Sequence, residues 1–274
     1  MIEGQLTTDR ESWLYPRVWE NCVGAWTPCL GPTNLSLIDR SGYGATGTIY
    51  GATANNAWVL KNGIWCVTLT GTFNTPLSSY NYVKVPSSAI FGQASPVYSV
   101  VCWFATTATL GALTAFNGTN VTKYQFNIGN CPYITGSYTN GKLSCGQYAS
   151  GGTHTASTNS LATCNDGNWH CAIQTVSTSK MSLYLDGAFQ SSVTTQGGTV
   201  AENDSLFFGC NGAINTPFST PQYLAGQIAE VRVYSRLLYN DEIVLLSKSP
   251  GAAYTSQNTI NYAMSLQKCY ASIW

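Results

Sequence analysis

Charge is what this chain has least of. Only 9% of its 274 residues are Asp, Glu, Lys or Arg, 12 basic against 12 acidic, and the formal net charge is zero. Soluble domains usually carry about a quarter. No Lys/Arg cluster is present that could neutralise a run of phosphates, which argues against a nucleic-acid surface. Long apolar runs are missing as well, and none approaches the roughly 20 residues that cross a bilayer. The opening "MIEGQLTTDRESW" has no basic stretch followed by an apolar core, so no secretory signal is expected. Zinc-ligand spacing is absent too: the ten cysteines form no Cys-x-x-Cys pair, and the histidines are two, His154 and His170. In the absence of export, the cysteines read as mostly free, buried thiols filling small apolar slots, with one or two disulfides left open.

Paired carboxylates are a further absence. A glycan-cleaving enzyme needs one carboxyl as general acid and a second as nucleophile or base, and no strand-like segment here carries alternating acids. Glu230 stands alone in "QIAEVRVY", Glu202 and Asp204 fall in the turn-like "AENDS", and no Gly-x-Ser-x-Gly elbow exists. His170 reads as a strand-end histidine satisfied by neighbouring backbone. The chain is expected not to be an enzyme.

What the sequence does have is 44% hydrophobic residues, 12% aromatics and a polar surface made from Ser, Thr, Asn, Gln, Gly and Tyr. Short apolar segments recur between turn residues: "SVVCWFAT", "CAIQTV", "MSLYL", "DSLFFG" and "QIAEVRVY". This spacing predicts two packed antiparallel sheets rather than alternating βαβ units. In "DGNWHCAIQTVSTSKMSLYLDG", residues 166–187, two alternating runs are bounded by Asp-Gly dipeptides suited to the positive φ angles of tight turns, which assigns Asp186 to a hairpin. One helix is predicted over Asn240–Lys248, with Asn240 as N-cap, acids in its first turn and Pro250-Gly251 at its end.

Those same segments resemble a known family. "DGNWHCAIQTVSTSKMSLYLDGAFQSS", "AGQIAEVRVYSRLLYNDEIVLL" and "GAWTPCLGPTNLSLIDRSGYGATGTIYG" are similar, in register, to the laminin-G-like or concanavalin-A-like jelly-roll domains. The resemblance covers roughly Cys22 to Pro250. It departs where the family has a second histidine, here Cys171, and where a small polar residue precedes the helix, here Tyr239. The resemblance implies an all-β, two-sheet antiparallel jelly-roll sandwich with one short C-terminal helix. The expected division is an N-terminal arm (1–20), the jelly roll (21–249) and a C-terminal tail (250–274).

The ends, "PRVWENCVGAWTPCLGPTNLSLIDRSGYGATGT" and, far downstream, "EIVLLSKSPGAAY", resemble the version of this domain found in tailed-bacteriophage virion proteins. That implies a non-enzymatic structural protein, a capsid decoration or a tail or fibre component, made in the host cytoplasm and located in the virion. Its partners would be other virion proteins, itself as a homo-oligomer such as a trimer, and cell-surface glycans, with no nucleic acid and no membrane insertion. The alternatives are a free-standing carbohydrate-binding, lectin-like module and, third, a glycan-cleaving enzyme. Tyr133, Tyr138 and Tyr148 are the candidate sugar-stacking residues, against a plain role in the sheets. Trp13, Tyr15, Tyr270 and Trp274 are the candidate assembly aromatics of the two arms. No cofactor is required; calcium is the one metal to be weighed, with Asp39 and Asp166 as candidate ligands against the simpler reading that both cap turns.

Overall fold

The computed structural model describes residues 16–71, 81–86, 97–117, 122–129, 140–148, 154–195, 205–210 and 223–253. The chain enters through one helical turn, α1 (Pro16–Trp19), and β1 (Cys22–Trp26), then a 3-10 turn at Pro28–Leu30. Two short strands follow, β2 (Ser36–Leu37) and β3 (Gly47–Tyr50). Strands β4 (Trp58–Lys61) and β5 (Ile64–Thr70) form a hairpin closed by Asn62-Gly63, both at positive φ, as a two-residue turn of matching twist requires. Next come β6 (Tyr82–Val85), β7 (Tyr98–Ala105), β8 (Gly111–Asn117), β9 (Thr122–Ile128), β10 (Lys142–Tyr148) and β11 (His154–Thr163). The stretch flanked by Asp-Gly dipeptides supplies β12 (Trp169–Val176) and β13 (Lys180–Leu185), and Asp186-Gly187, at φ 52 and 82, turns into β14 (Ala188–Thr194). The chain then runs through β15 (Ser205–Phe208), β16 (Ala225–Tyr234) and α2 (Asn240–Leu246).

These strands make two eight-stranded antiparallel sheets. The first has the order β14-β13-β12-β7-β16-β5-β4, with β1 joining β16 through Val231–Tyr234 where β5 no longer pairs. The second has the order β11-β10-β9-β8-β15-β6-β3-β2. The main core lies between them, around Trp26, Phe104, Leu113, Phe126, Ile128 and Phe208. Trp26 is fixed at both ends: its indole N–H donates to the Ala45 carbonyl at 2.8 Å, and its ring meets Phe208 edge-on at 5.1 Å. The expected all-β sandwich is therefore the observed one.

The first sheet is covered on both faces, which explains why every residue of β7 is buried. Its outer face, with Cys66, Val101, Trp103, Cys171, Ile173 and Tyr234, packs under a second, smaller core of Val18 and Trp19 from α1, Ile243 and Leu246 from α2, and Ala253. Val18, Trp19 and Ala253 thus help to cover this apolar face. The helix differs from expectation in its cap. Tyr239, not Asn240, precedes the first turn, and its backbone N–H donates at 2.9 Å to Glu242, three residues on. Arg236 grips the same carboxylate with two hydrogen bonds of 2.7 Å.

Among the described residues no disulfide joins the eight cysteines, and all but Cys29 are buried. Burial pushes Cys22 and Cys66 up to about 11 and Cys164 up to about 12, so they stay protonated and serve as packing.

The two flanks of the sandwich are built differently. On one, edge strands β11 and β14 are stitched by side chains: Thr158 donates to the Ser191 hydroxyl, Ser191 to the Asn159 carbonyl, and the Gln190 side-chain oxygen accepts from the N–H groups of Leu161 and Ala162. On the other, β2 and β4 end the two sheets, and the Trp58 indole N–H reaches the Asn34 carbonyl at 2.6 Å.

Candidate functional site

The head of β12 gathers three ionisable side chains, with Asp166 four and Asp186 sixteen positions from His170. His170 lies between two carboxylates, Nδ1 at 2.8 Å from Asp186 and Nε2 at 3.0 Å from Asp166. The other Asp186 oxygen accepts the Cys171 N–H at 2.8 Å, and Asp166 also takes the backbone N–H and the side-chain amide of Asn168, each at 2.8 Å. The expectation that backbone would satisfy His170 is corrected: two carboxylates do, and Asp186 has this task in addition to its turn. The Asp186 hydrogen bond is the main influence raising the His170 pKa, while the Asn168 hydrogen bonds lead in holding Asp166 down at about 2. A carboxylate held that low cannot keep the proton that a general acid must donate near neutral pH.

The two carboxylates considered for calcium are not brought into a common cluster. Asp39 is buried at the edge of β1 and accepts four hydrogen bonds, from the N–H groups of Ala25, Ser41 and Ala45 and from the Ser41 hydroxyl. Asp166 is occupied as described above. Both have the geometry of turn caps, and among the described residues no group of three or more His, Cys, Asp or Glu side chains is placed to hold a metal. Glu230 is not alone: it lies buried under the outer core, 2.5 Å from Arg232, and accepts the Gly251 N–H at 2.7 Å. Tyr133, Tyr138, Trp13, Tyr15, Tyr270 and Trp274 lie outside the described residues. Tyr148 closes β10, with its backbone in register with His154, and its side chain lies outside the described structure.

Sequence reasoning missed a groove on the open flank. It is lined by Thr27, Pro28, Gly31, Thr33, Leu37, Ile38, Arg40 and Trp58, and its cavity volume is about 10 Å³, room for one water. The 3-10 turn makes one wall and Trp58 of β4 another; the Asn34 bond fixes the indole. Gly31 holds φ at 120, a conformation that disfavours other residues, and no atom lies within 4 Å of where a Cβ would project.

The polar groups in this groove are unusual for what they lack. Thr27 is 5% exposed, yet its hydroxyl has no hydrogen-bond partner. Leaving such a group unpaired costs about 1–3 kcal/mol. The Thr33 hydroxyl, by contrast, is committed to the Ser36 carbonyl. Ile38, 47% exposed, adds an apolar rim. A second aromatic feature lies on β3 and β6 of the second sheet, where Tyr50 and Tyr82 stack at 5.2 Å, but there the rings cover each other.

Residues 77–244 match the sequence model of the family described as the Concanavalin A-like lectin/glucanases superfamily, Laminin_G_3. No curated protein matches the chain. Among solved structures, the binding domain of botulinum neurotoxin DC in complex with SialylT shares 12% identity and a TM-score of 0.59, over 84% of this chain and 52% of that one. The same domain in complex with rat synaptotagmin II gives 11% identity and a TM-score of 0.60 over the same shares. Domain 4 of AbnA, a GH43 extracellular arabinanase from Geobacillus stearothermophilus, in complex with arabinotriose, shares 19% identity and a TM-score of 0.57, over 83% of this chain and 98% of that one. The chain spans about half the length of the neurotoxin chains and nearly all of the arabinanase domain. At these identities the structural likeness is one of fold. With the family match covering more than half of its length, the chain belongs to the Concanavalin A-like lectin/glucanases superfamily.

Proposed function

We propose that this chain is a non-enzymatic glycan-binding domain, carried as an adhesion or decoration component of a bacteriophage virion. The observation that carries the binding reading is the family's jelly-roll sandwich, on whose open flank the Trp58 indole and the exposed Ile38 line one shallow groove. The indole offers an apolar face for the C–H side of a sugar ring. The arabinanase domain, matched nearly end to end, was solved with arabinotriose, which supports the same class of ligand here. A non-enzymatic role is supported by the state of the acids: Asp166 is held at about 2, and Glu230 is buried against Arg232. The virion reading is supported by the resemblance of the chain's ends and by a surface of few charges.

A glycan array tests the binding reading. The wild-type protein is expected to bind sugars, and Trp58→Ala is expected to weaken that binding at least tenfold. A wild-type protein that binds no sugar overturns the reading, and measurable polysaccharide turnover overturns the non-enzymatic part. Light scattering, together with antibody labelling of phage particles, tests the rest. A defined oligomer at regular positions supports the virion component, and a monomer on no particle favours the free-standing lectin-like module.

A further inference from the structure

Asparagine followed by glycine occurs at Asn62, Asn117, Asn140 and Asn211, and two of these pairs, Asn62-Gly63 and Asn140-Gly141, lie wholly within the described residues. In such a pair the side-chain amide stands one ring closure away from the next backbone nitrogen, and glycine has no side chain to obstruct the approach. The fold treats the two pairs differently. Gly141 is buried, its N–H donates to the Thr109 carbonyl at 3.2 Å, and the Asn165 side chain occupies the space a Cβ would take. Asn62 and Gly63 are both exposed at the tip of the β4–β5 hairpin, and nothing lies within 4 Å of where a Gly63 Cβ would project. Among the described residues the Gly63 N–H makes no hydrogen bond, so water alone covers this nitrogen.

We infer that Asn62 is a site of spontaneous deamidation, a modification that needs only water and hydroxide. Hydroxide takes the Gly63 amide proton, and the nitrogen attacks Asn62 Cγ. The Cγ–Nδ2 bond breaks, ammonia leaves with a proton from water, and a five-membered succinimide remains. Water then opens the ring at either carbonyl, giving aspartate or isoaspartate. Both products place a carboxylate next to Lys61, whose ammonium donates to the Gln227 side-chain oxygen at 3.2 Å and whose carbonyl accepts the Trp169 indole N–H at 3.4 Å. Isoaspartate also adds a methylene to the main chain of a two-residue turn, on which the pairing of Lys61 with Ile64 and of Leu60 with Trp65 depends. The product is a looser hairpin at the edge of the first sheet.

The test is incubation of the folded protein at alkaline pH, with peptide masses measured at intervals, since deamidation adds about 1 Da. The urea-unfolded chain is run in parallel, and there the two pairs should convert at similar rates because no fold distinguishes them. In the folded protein the Asn62 peptide is expected to gain this mass at least tenfold faster than the Asn140 peptide. Equal rates at the two positions in the folded protein overturn the inference, as does an unchanged Asn62 over a period that converts the unfolded chain. Asn62→Gly, a residue that suits the φ of 52, checks the effect on the hairpin. The melting temperature of aged wild type should fall further than that of this variant aged beside it, and an equal fall overturns the loosening.

Discussion

At the head of β12, His170 sits between Asp166 and Asp186, and both ring nitrogens and all four carboxylate oxygens are engaged. On the open flank, the buried Thr27 hydroxyl has no partner. Both regions hold polar groups in a chain that has few charges, yet one resolves them internally and the other leaves one unpaired. A polar network satisfied within the protein fixes strands in place. An unpaired buried group lowers stability. The first therefore reads as architecture and the second, where Trp58 and Ile38 line a shallow groove, as the place for binding, although the first contains the histidine and acids that would ordinarily suggest chemistry.

If that contrast is sound, damage to satisfied groups costs stability and leaves sugar binding alone. The largest effect is expected at Glu230, whose removal strands a buried Arg232. Glu230→Ala should lose about 3–5 kcal/mol in urea denaturation. Next is Asp186→Ala, which takes the acceptor from His170 and from the Cys171 N–H and places alanine at a φ of 52. A loss of about 1.5–3 kcal/mol is expected. Full stability in either variant would break the comparison.

Titration sharpens it with a smaller effect. His170 is raised in the folded state, so its contribution is complete below its ordinary value of 6.5 and is lost as pH climbs through the higher folded value. Asp166 is depressed, so its contribution is complete above 3.8 and is lost as pH falls toward about 2. Melting temperature should peak between these limits, and His170→Gln should flatten the alkaline decline. The smallest effect has the opposite sign. Thr27→Val removes an unpaired buried hydroxyl and should raise stability by up to about 1 kcal/mol. A loss of stability in that variant would mean that the Thr27 hydroxyl is satisfied in the folded chain.

Local chemistry made the strands readable. Alternation in "CAIQTV" and "MSLYL" sufficed to place β12 and β13, and the Asp186-Gly187 dipeptide the turn that follows β13. The burial of β7 on both faces depends on α1, α2 and Ala253, segments distant from it in sequence. What stayed hidden was whatever depends on a second use of a residue or on missing neighbours. A turn at Asp186 explains its backbone and says nothing of its carboxylate, which meets His170 only when strands pair. Thr27, Ile38 and Trp58 belong to three different segments and meet only in the folded groove. No periodicity records that.

The buried thiols open one more use of this fold. Cys102, Cys145 and Cys164 lie in the core between the sheets, and Cys22, Cys66 and Cys171 in the core beneath the helices. Three silent labels are thus built into each compartment. Pulsed alkylation followed by peptide mass measurement would show which compartment opens first, without introducing a probe.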